Sequence, residues 1–292
     1  MKKCILIILC MILLVPCNVK AYSSNDLYKK YNIEYGCNVA SEKVNLSVHN
    51  NKYYSYVLDK SFKPTNTNKK EAKKLDKKIK SSKKKAIIVY KKDYKNLEKA
   101  MVTLQNTKTK YTDFSCSSCV DNNGIIYYKV NKKSYLNAIK DSQSIDNNIK
   151  NIINICGIEN GIEKGEAVQR VSNYFRQNYK YDYDQLKTNF SELDKNINYI
   201  DQTKKGICYD YAVFYKAILE SIGIKCGLVI DNDGCHAYNC VIIANKKYYI
   251  DTCWNEGQTY NKYTCCQENT FFELHHKPGS IEWTDKVEII KQ

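Results

Sequence analysis

Proline and glycine are scarce, 3 and 11 among 292 residues. That excludes a collagenous or Pro/Gly-rich disordered chain. No apolar run beyond the first fifteen residues is long enough to cross a bilayer as a helix, which needs roughly 20 residues. No internal repeat is present, so solenoid and propeller architectures are set aside. Asp231-Asn232-Asp233-Gly234 is too short for an EF-hand loop and reads as a turn. Neither a metal nor a cofactor is therefore expected. What remains, with tyrosine and isoleucine abundant, is the composition of a globular protein.

The start of the chain has the organisation of an export signal. Met1-Lys2-Lys3 is a short basic segment, Cys4 to Val15 is an apolar run, and Val19-Lys20-Ala21 is a small-residue cleavage site. Residues 1–21 are read as a signal peptide, and the mature protein is expected to be secreted or held at the cell surface. Leu14-Val15-Pro16-Cys17 resembles a lipoprotein cleavage box only faintly, because proline precedes the cysteine, so anchoring at Cys17 is not expected. The formal charge is +15, falling to about +12 once Lys2, Lys3 and Lys20 are removed. Such a surface attracts polyanions, which outside a cell are wall polymers and lipid headgroups. The lysines are scattered instead of clustered, which argues against nucleic acid as a partner.

Fourteen cysteines occur in the sequence, and an odd eleven follow residue 21. In an oxidising compartment an odd count leaves at least one thiol unpaired, which suits a nucleophile. Cys116-Ser117-Ser118-Cys119 has redox or zinc spacing, but lacks the strand and helix of a thioredoxin-like motif and a second ligand pair. A local disulfide or structural thiols is the expectation there. The vicinal Cys265-Cys266 and nearby His275-His276 offer a rival reading as a redox or metal protein.

The expected organisation has four parts. After the signal peptide, residues 22–85 are an extension and a Lys-rich linker, with a solvated or exposed-helical stretch from Lys60 to Lys85. Residues 86–160 form a small α/β unit and a helix. Its strands are Ala86 to Tyr90 and Gly124 to Val130, and its helices are Tyr94 to Leu104 and Tyr135 to Cys156. Residues 161–292 form the last domain, entered through a helix from Glu163 to Asn178.

Within that last part lie a thiol, an imidazole and a carboxylate in order. Gly206-Ile207-Cys208-Tyr209-Asp210-Tyr211-Ala212 opens a helix whose buried face is Tyr211, Phe214, Tyr215, Ile218, Leu219 and Ile222, closed by Gly223. Cys208 thus begins a buried helix, where the dipole and free backbone N–H groups favour a thiolate and can also hold an oxyanion. His236-Ala237-Tyr238-Asn239 begins one strand and Asp251-Thr252-Cys253-Trp254 ends another. A two-residue turn at Asn245-Lys246 would put His236 and Asp251 on one sheet face. In that register they stand about 13 Å apart along the strands, so twist or a bulge must close the gap. Nucleophile, base and orienting anion are the groups needed for thiol acyl transfer.

These three motifs, with Gly223-Ile224 between the first and second, resemble the core of the transglutaminase-like superfamily, a branch of papain-like thiol enzymes, over roughly 164–275. The fold so implied is α+β, with the cysteine helix packed on an antiparallel sheet carrying His and Asp. The resemblance implies Cys208 as nucleophile, His236 as general base and acid, and Asp251 as the group orienting His236. Tyr238 stands where the family usually has Trp, and Cys253 where it often has Thr; neither removes a catalytic group. Gln202, six residues before Cys208, has an offset like that of the papain-like oxyanion glutamine, with Tyr183 or Tyr238 as alternatives. Trp254 and Tyr238 are candidate cleft walls. The implied activity is acyl transfer or amide hydrolysis on a protein or peptide substrate through a thioester. Proteolysis and a non-catalytic module binding the cell wall or a protein are the alternatives.

Overall fold

The computed structural model describes residues 42–46, 64–112, 114–185, 197–258, 261–273, 276–283 and 287–290. The signal-peptide reading, Cys17, Cys37 and His275 lie outside these residues. Among the described residues no helix is long and apolar enough to cross a membrane.

The Lys-rich stretch is largely a helix, α1 (Asn66–Ser81). Thr65 starts it by accepting from the Asn68 N–H at 3.2 Å, while Asn68 Oδ1 accepts from the Thr65 N–H at 2.9 Å. Leu75 and Ile79 are wholly buried and Ala72 nearly so, an i, i+3, i+7 stripe. Two large apolar residues suffice because polar anchors assist. Glu71 accepts from the Lys95 and Asn96 N–H groups, and Asp76 from the Tyr135 hydroxyl. The stripe packs on β1 (Ala86–Tyr90), α2 (Leu97–Lys108) and α3 (Lys132–Ile155) as one small core. A three-stranded antiparallel sheet completes this unit, in the order β1-β3-β2, with β2 (Cys116–Val120) and β3 (Ile126–Asn131). Cys116 and Cys119 stand three residues apart on β2, so they point to opposite faces. Both are free thiols, and no local disulfide forms.

The segment 42–46, expected to be a loose extension, docks on the second unit. Val44 is buried, its N–H donates to the Ile162 carbonyl, and Glu42 pairs with Lys164.

The second unit contains α4 (Lys164–Asn178), β4 (Lys180–Tyr181), α5 (Ile197–Thr203), β5 (Lys205–Gly206) and α6 (Cys208–Ser221). It continues with β6 (Lys225–Asp231), β7 (Ala237–Ile243), β8 (Lys246–Ile250), α7 (Glu268–Glu273), β9 (Gly279–Glu282) and β10 (Val287–Ile289). Five strands form an antiparallel sheet in the order β10-β9-β6-β7-β8. Helix α6 packs against β6 and β7. Its expected face, from Tyr211 to Ile222, is wholly buried, but Ala212, Val213 and Ala217 on its other sides are buried too. The sequence pattern suggested a one-sided helix. Here α4, α5 and the sheet together enclose it, so apolar residues extend beyond one face, with Lys216 and Glu220 paired on the remaining side.

Two glycines bracket α6 for different reasons. Gly223 takes φ +81°, the left-handed end that lets Ile224 N–H return to the Leu219 carbonyl. Gly206 has no such φ. A Cβ there would lie 2.8 Å from Asp210 Cβ and 3.1 Å from Ile200 Cδ1, so close approach, not turning, requires it.

The β7–β8 turn is Ala244-Asn245, both with positive φ (47° and 61°), and Ile243 pairs with Lys246. Two left-handed residues match the twist of the flanking strands. Relative to the expected Asn245-Lys246 turn, the register moves so that Asp251 continues the ladder opposite Tyr238. His236 is then two residues from that position, about 7 Å along the strand instead of about 13 Å.

Leu219→Ala should lower the unfolding free energy by about 2–5 kcal/mol, read by denaturant titration with an unchanged slope. Lys73→Ala on α1 should change it by less than about 0.5 kcal/mol. A Leu219→Ala loss below about 1 kcal/mol would refute α6 as the centre of the core.

Candidate active site

Cys208 is the first residue of α6 and is partly exposed. The N–H groups of a helix's first turn have no intrahelical acceptor, so they face outward around the thiol with the positive end of the dipole. Asp210, in the same turn, accepts the Ile207 N–H at 3.0 Å. Burial pushes its carboxyl up to about 6, against the pull of that N–H.

His236 sits one residue before β7, so strand alternation does not fix its direction. Asp231 fixes its backbone instead: one carboxylate oxygen accepts from the Cys235 N–H at 2.9 Å and the His236 N–H at 3.3 Å. The expected turn at 231–234 is present, closed by the Gly234 N–H on the Asp231 carbonyl, with Gly234 at φ +65°. Sequence reasoning found the turn and missed that its first aspartate aligns the histidine.

His236 Nε2 lies 2.6 Å from Asp251 Oδ2. That leaves Nδ1 as the ring nitrogen available to Cys208, which lies within electrostatic reach of the imidazole. Burial pulls the His236 pKa down. Asp251, and then Cys208, more than reverse this and hold it well above its ordinary value. Asp251 is wholly buried. Burial alone would raise its carboxyl, but His236 and His276 outweigh that and keep it well below the usual carboxylate range.

His276 was singled out in the sequence only beside the cysteines. It lies between α7 and β9, and its Nε2 is 2.8 Å from the same Asp251 oxygen. The other oxygen, Oδ1, accepts the Trp254 N–H at 2.9 Å. Rings surround His276: Phe271 stacked at 3.8 Å, Trp254 at 4.7 Å, Tyr263 at 5.2 Å and Tyr238 at 5.5 Å between centroids. Close strand contact brings this segment in. A Cβ at Gly279 would fall 1.8 Å from the Ile230 carbonyl oxygen, and Lys277 and Pro278 carbonyls accept from Tyr238 Oη and Asn232 N–H. His236, Asp251 and His276 have metal-ligand chemistry and their ligand atoms lie within 4.8 Å of one another. The 2.6 and 2.8 Å separations are hydrogen-bond lengths to one shared oxygen, which accounts for the convergence.

The other expected residues are distributed differently. Gln202 is exposed on α5 and its amide donates to Asn198 Oδ1 at 2.9 Å. Tyr183 is exposed, 5.0 Å from the Tyr181 ring. Tyr238 is 1% exposed, so it underlies the site and walls no open cleft. Trp254 lies 5.4 Å from the His236 ring and is part-buried. Tyr181, which sequence reasoning passed over, lies within the electrostatic reach of Cys208. Burial, then the charges of Cys208 and Cys253, push its phenol far up. Its only sequence signal was a place in the strand leading toward Gly206, with which it pairs.

Cysteine parity does not single out Cys208: nine described cysteines are free thiols. Cys265 is disulfide-bonded while Cys266 is free, so the vicinal pair does not bridge to itself.

Residues 157–260 match the model of the transglutaminase-like superfamily. This stretch, similar to the transglutaminase-like superfamily, holds Cys208, His236 and Asp251. No curated protein matches the chain. Among solved structures, one described as a TGase is 16% identical over 51% of this chain and 46% of that one, with a TM-score of 0.32. The chain therefore spans less than half of that protein. A candidate cysteine protease from Cytophaga hutchinsonii is 10% identical over 62% of this chain and 68% of that one, with a TM-score of 0.29.

The pKa directions predict a pH signature. His236, with a raised folded pKa, stabilises fully below about pH 6.5, and the effect is lost as pH rises through the raised value. Asp251, with a lowered one, stabilises fully above about pH 4, and the effect is lost as pH falls through the lowered value. The Tm advantage of wild type over His236→Gln should therefore peak between about pH 4 and 6.5 and shrink toward pH 9. A difference that stays flat from pH 5 to 9 would contradict the ion pair.

Proposed function

We propose that this protein is an exported thiol enzyme that transfers or hydrolyses acyl groups of protein or peptide substrates through a covalent thioester. The observation that carries the reading is His236 engaged through Nε2 by a buried carboxylate and within electrostatic reach of Cys208, the first residue of a buried helix.

In this reading His236 takes the Cys208 proton, and the sulfur attacks a glutamine side-chain or peptide carbonyl carbon. The carbonyl π pair moves to oxygen. The Cys208 backbone N–H and the Tyr181 hydroxyl meet that oxyanion. Tyr181 remains protonated, hence a donor, because burial and Cys208 oppose its ionisation. Collapse expels ammonia or an amine, which takes its proton from His236, and leaves the thioester. His236 then removes a proton from the second nucleophile. A lysine amine gives an isopeptide, and water gives the acid. Asp251 holds the Nε2–H tautomer and the imidazolium throughout. Export follows from residues 1–21, and the basic surface suits an anionic wall polymer near the substrate.

Iodoacetamide at about pH 6 separates an activated thiol from an ordinary one, whose pKa is near 8.5. Intact-mass analysis should show one fast adduct in wild type and none of that phase in Cys208→Ala. Tyr181→Phe should keep the adduct and lose about 10- to 1000-fold in turnover. Amine incorporation against peptide hydrolysis then distinguishes crosslinking from proteolysis. Absence of a Cys208-dependent adduct in the mature protein would overturn the proposal.

A further inference from the structure

We infer that His276 is a positioning residue of the site: a second imidazole that donates Nε2–H to Asp251 Oδ2 and so keeps that carboxylate ionised and aimed at His236. The inference rests on the proposed function, and it adds a group from outside the 157–260 stretch shared with the family.

The hydrogen count leads to it. An ionised carboxylate oxygen only accepts, so each nitrogen facing it must carry a proton. Asp251 Oδ2 faces Nε2 of His236 at 2.6 Å and Nε2 of His276 at 2.8 Å. The two rings differ in their surroundings. His236 retains some exposure and has Cys208 as a further partner, whereas the His276 side chain is wholly buried. Burial, with the nearby His236 charge adding to it, lowers the His276 pKa despite Asp251. A neutral ring has one N–H, and it must be at Nε2. Nδ1 is then bare and buried, with no hydrogen-bond partner among the described residues.

The aromatic enclosure by Phe271, Trp254, Tyr263 and Tyr238 holds this ring in one orientation. The remaining titratable groups around Asp251 do not compete with it. Tyr181 on β4, Tyr238 on β7, Cys253 after β8 and Cys266 beside β8 all have pKa values raised by burial. None supplies positive charge, so His236 and His276, with the Trp254 N–H, are the described donors that sustain the Asp251 charge. Without the His276 donor a desolvated carboxylate would take up a proton at higher pH, and His236 would lose its anion.

The test uses the mature chain with His276→Phe, which keeps a flat ring but no donor, and His276→Gln, whose amide can donate from nearly the Nε2 position. The readout is the pH profile of Cys208 alkylation. His276→Phe should move the acid limb up by about one pH unit, lowering the rate on that limb about tenfold, while His276→Gln stays within about threefold of wild type. Near-UV circular dichroism checks that both variants fold. A folded His276→Phe with the wild-type profile, or a His276→Gln as impaired as His276→Phe, would overturn the assignment. Imidazole ¹⁵N shifts of the wild type give an independent reading that needs no reactive thiol. The inference requires His276 to stay neutral and Nε2-protonated from about pH 5 to 8, and the Nδ1–H tautomer or an ordinary titration would overturn it. If wild type is unreactive while these shifts hold, the proposed chemistry fails and the Asp251–His276 pairing stands.

Discussion

A single buried negative charge organises the site. Asp251 has no exposed surface, and an isolated carboxylate at such a place would be neutralised by a proton. It stays ionised because three N–H donors converge on its two oxygens: His236, His276 and the Trp254 backbone. Each donor comes from a different part of the chain. The loop from β6 to β7, the turn after β8 and the approach to β9 must all be in place before the charge is tolerable.

That requirement explains features elsewhere. Asp231 ties the His236 backbone to the end of β6. Gly279 lets β9 run against β6 at a distance no side chain permits, which carries His276 into reach. Tyr238 and Phe271 form the apolar surroundings of His276, and they belong to the core on the sheet face opposite α6. On the α6 side, a helix enclosed on all sides presents Cys208 at its first turn. The site thus lies at one end of the sheet, where the two cores meet.

Much of the local structure was readable in the chain. The apolar spacing from Tyr211 to Ile222 and the glycine after it describe α6, because helical period and a left-handed C-terminus are local properties. The motifs at Cys208, His236 and Asp251 likewise marked the residues of the candidate site. Other features were not local. Helix α1 looked like a solvated linker or an exposed helix, and its burial was not legible, since its few apolar residues gain their partners only from α2, α3 and β1. The Ala244-Asn245 turn displaced the expected register, and Gly206 proved to be a matter of packing against Asp210 and Ile200. Gln202 had a suggestive offset, yet offset along the chain does not determine which way a surface helix points.

The elements and the candidate site residues were legible along the chain, because residue type, periodicity and caps act over a few residues. Which of those groups meet depended on the fold. Tyr181 comes within the electrostatic reach of Cys208, the register halves the separation of His236 and Asp251, and His276 reaches the same carboxylate from 25 residues further along. Those are consequences of strand pairing and burial, and neither is encoded in the spacing of any one motif.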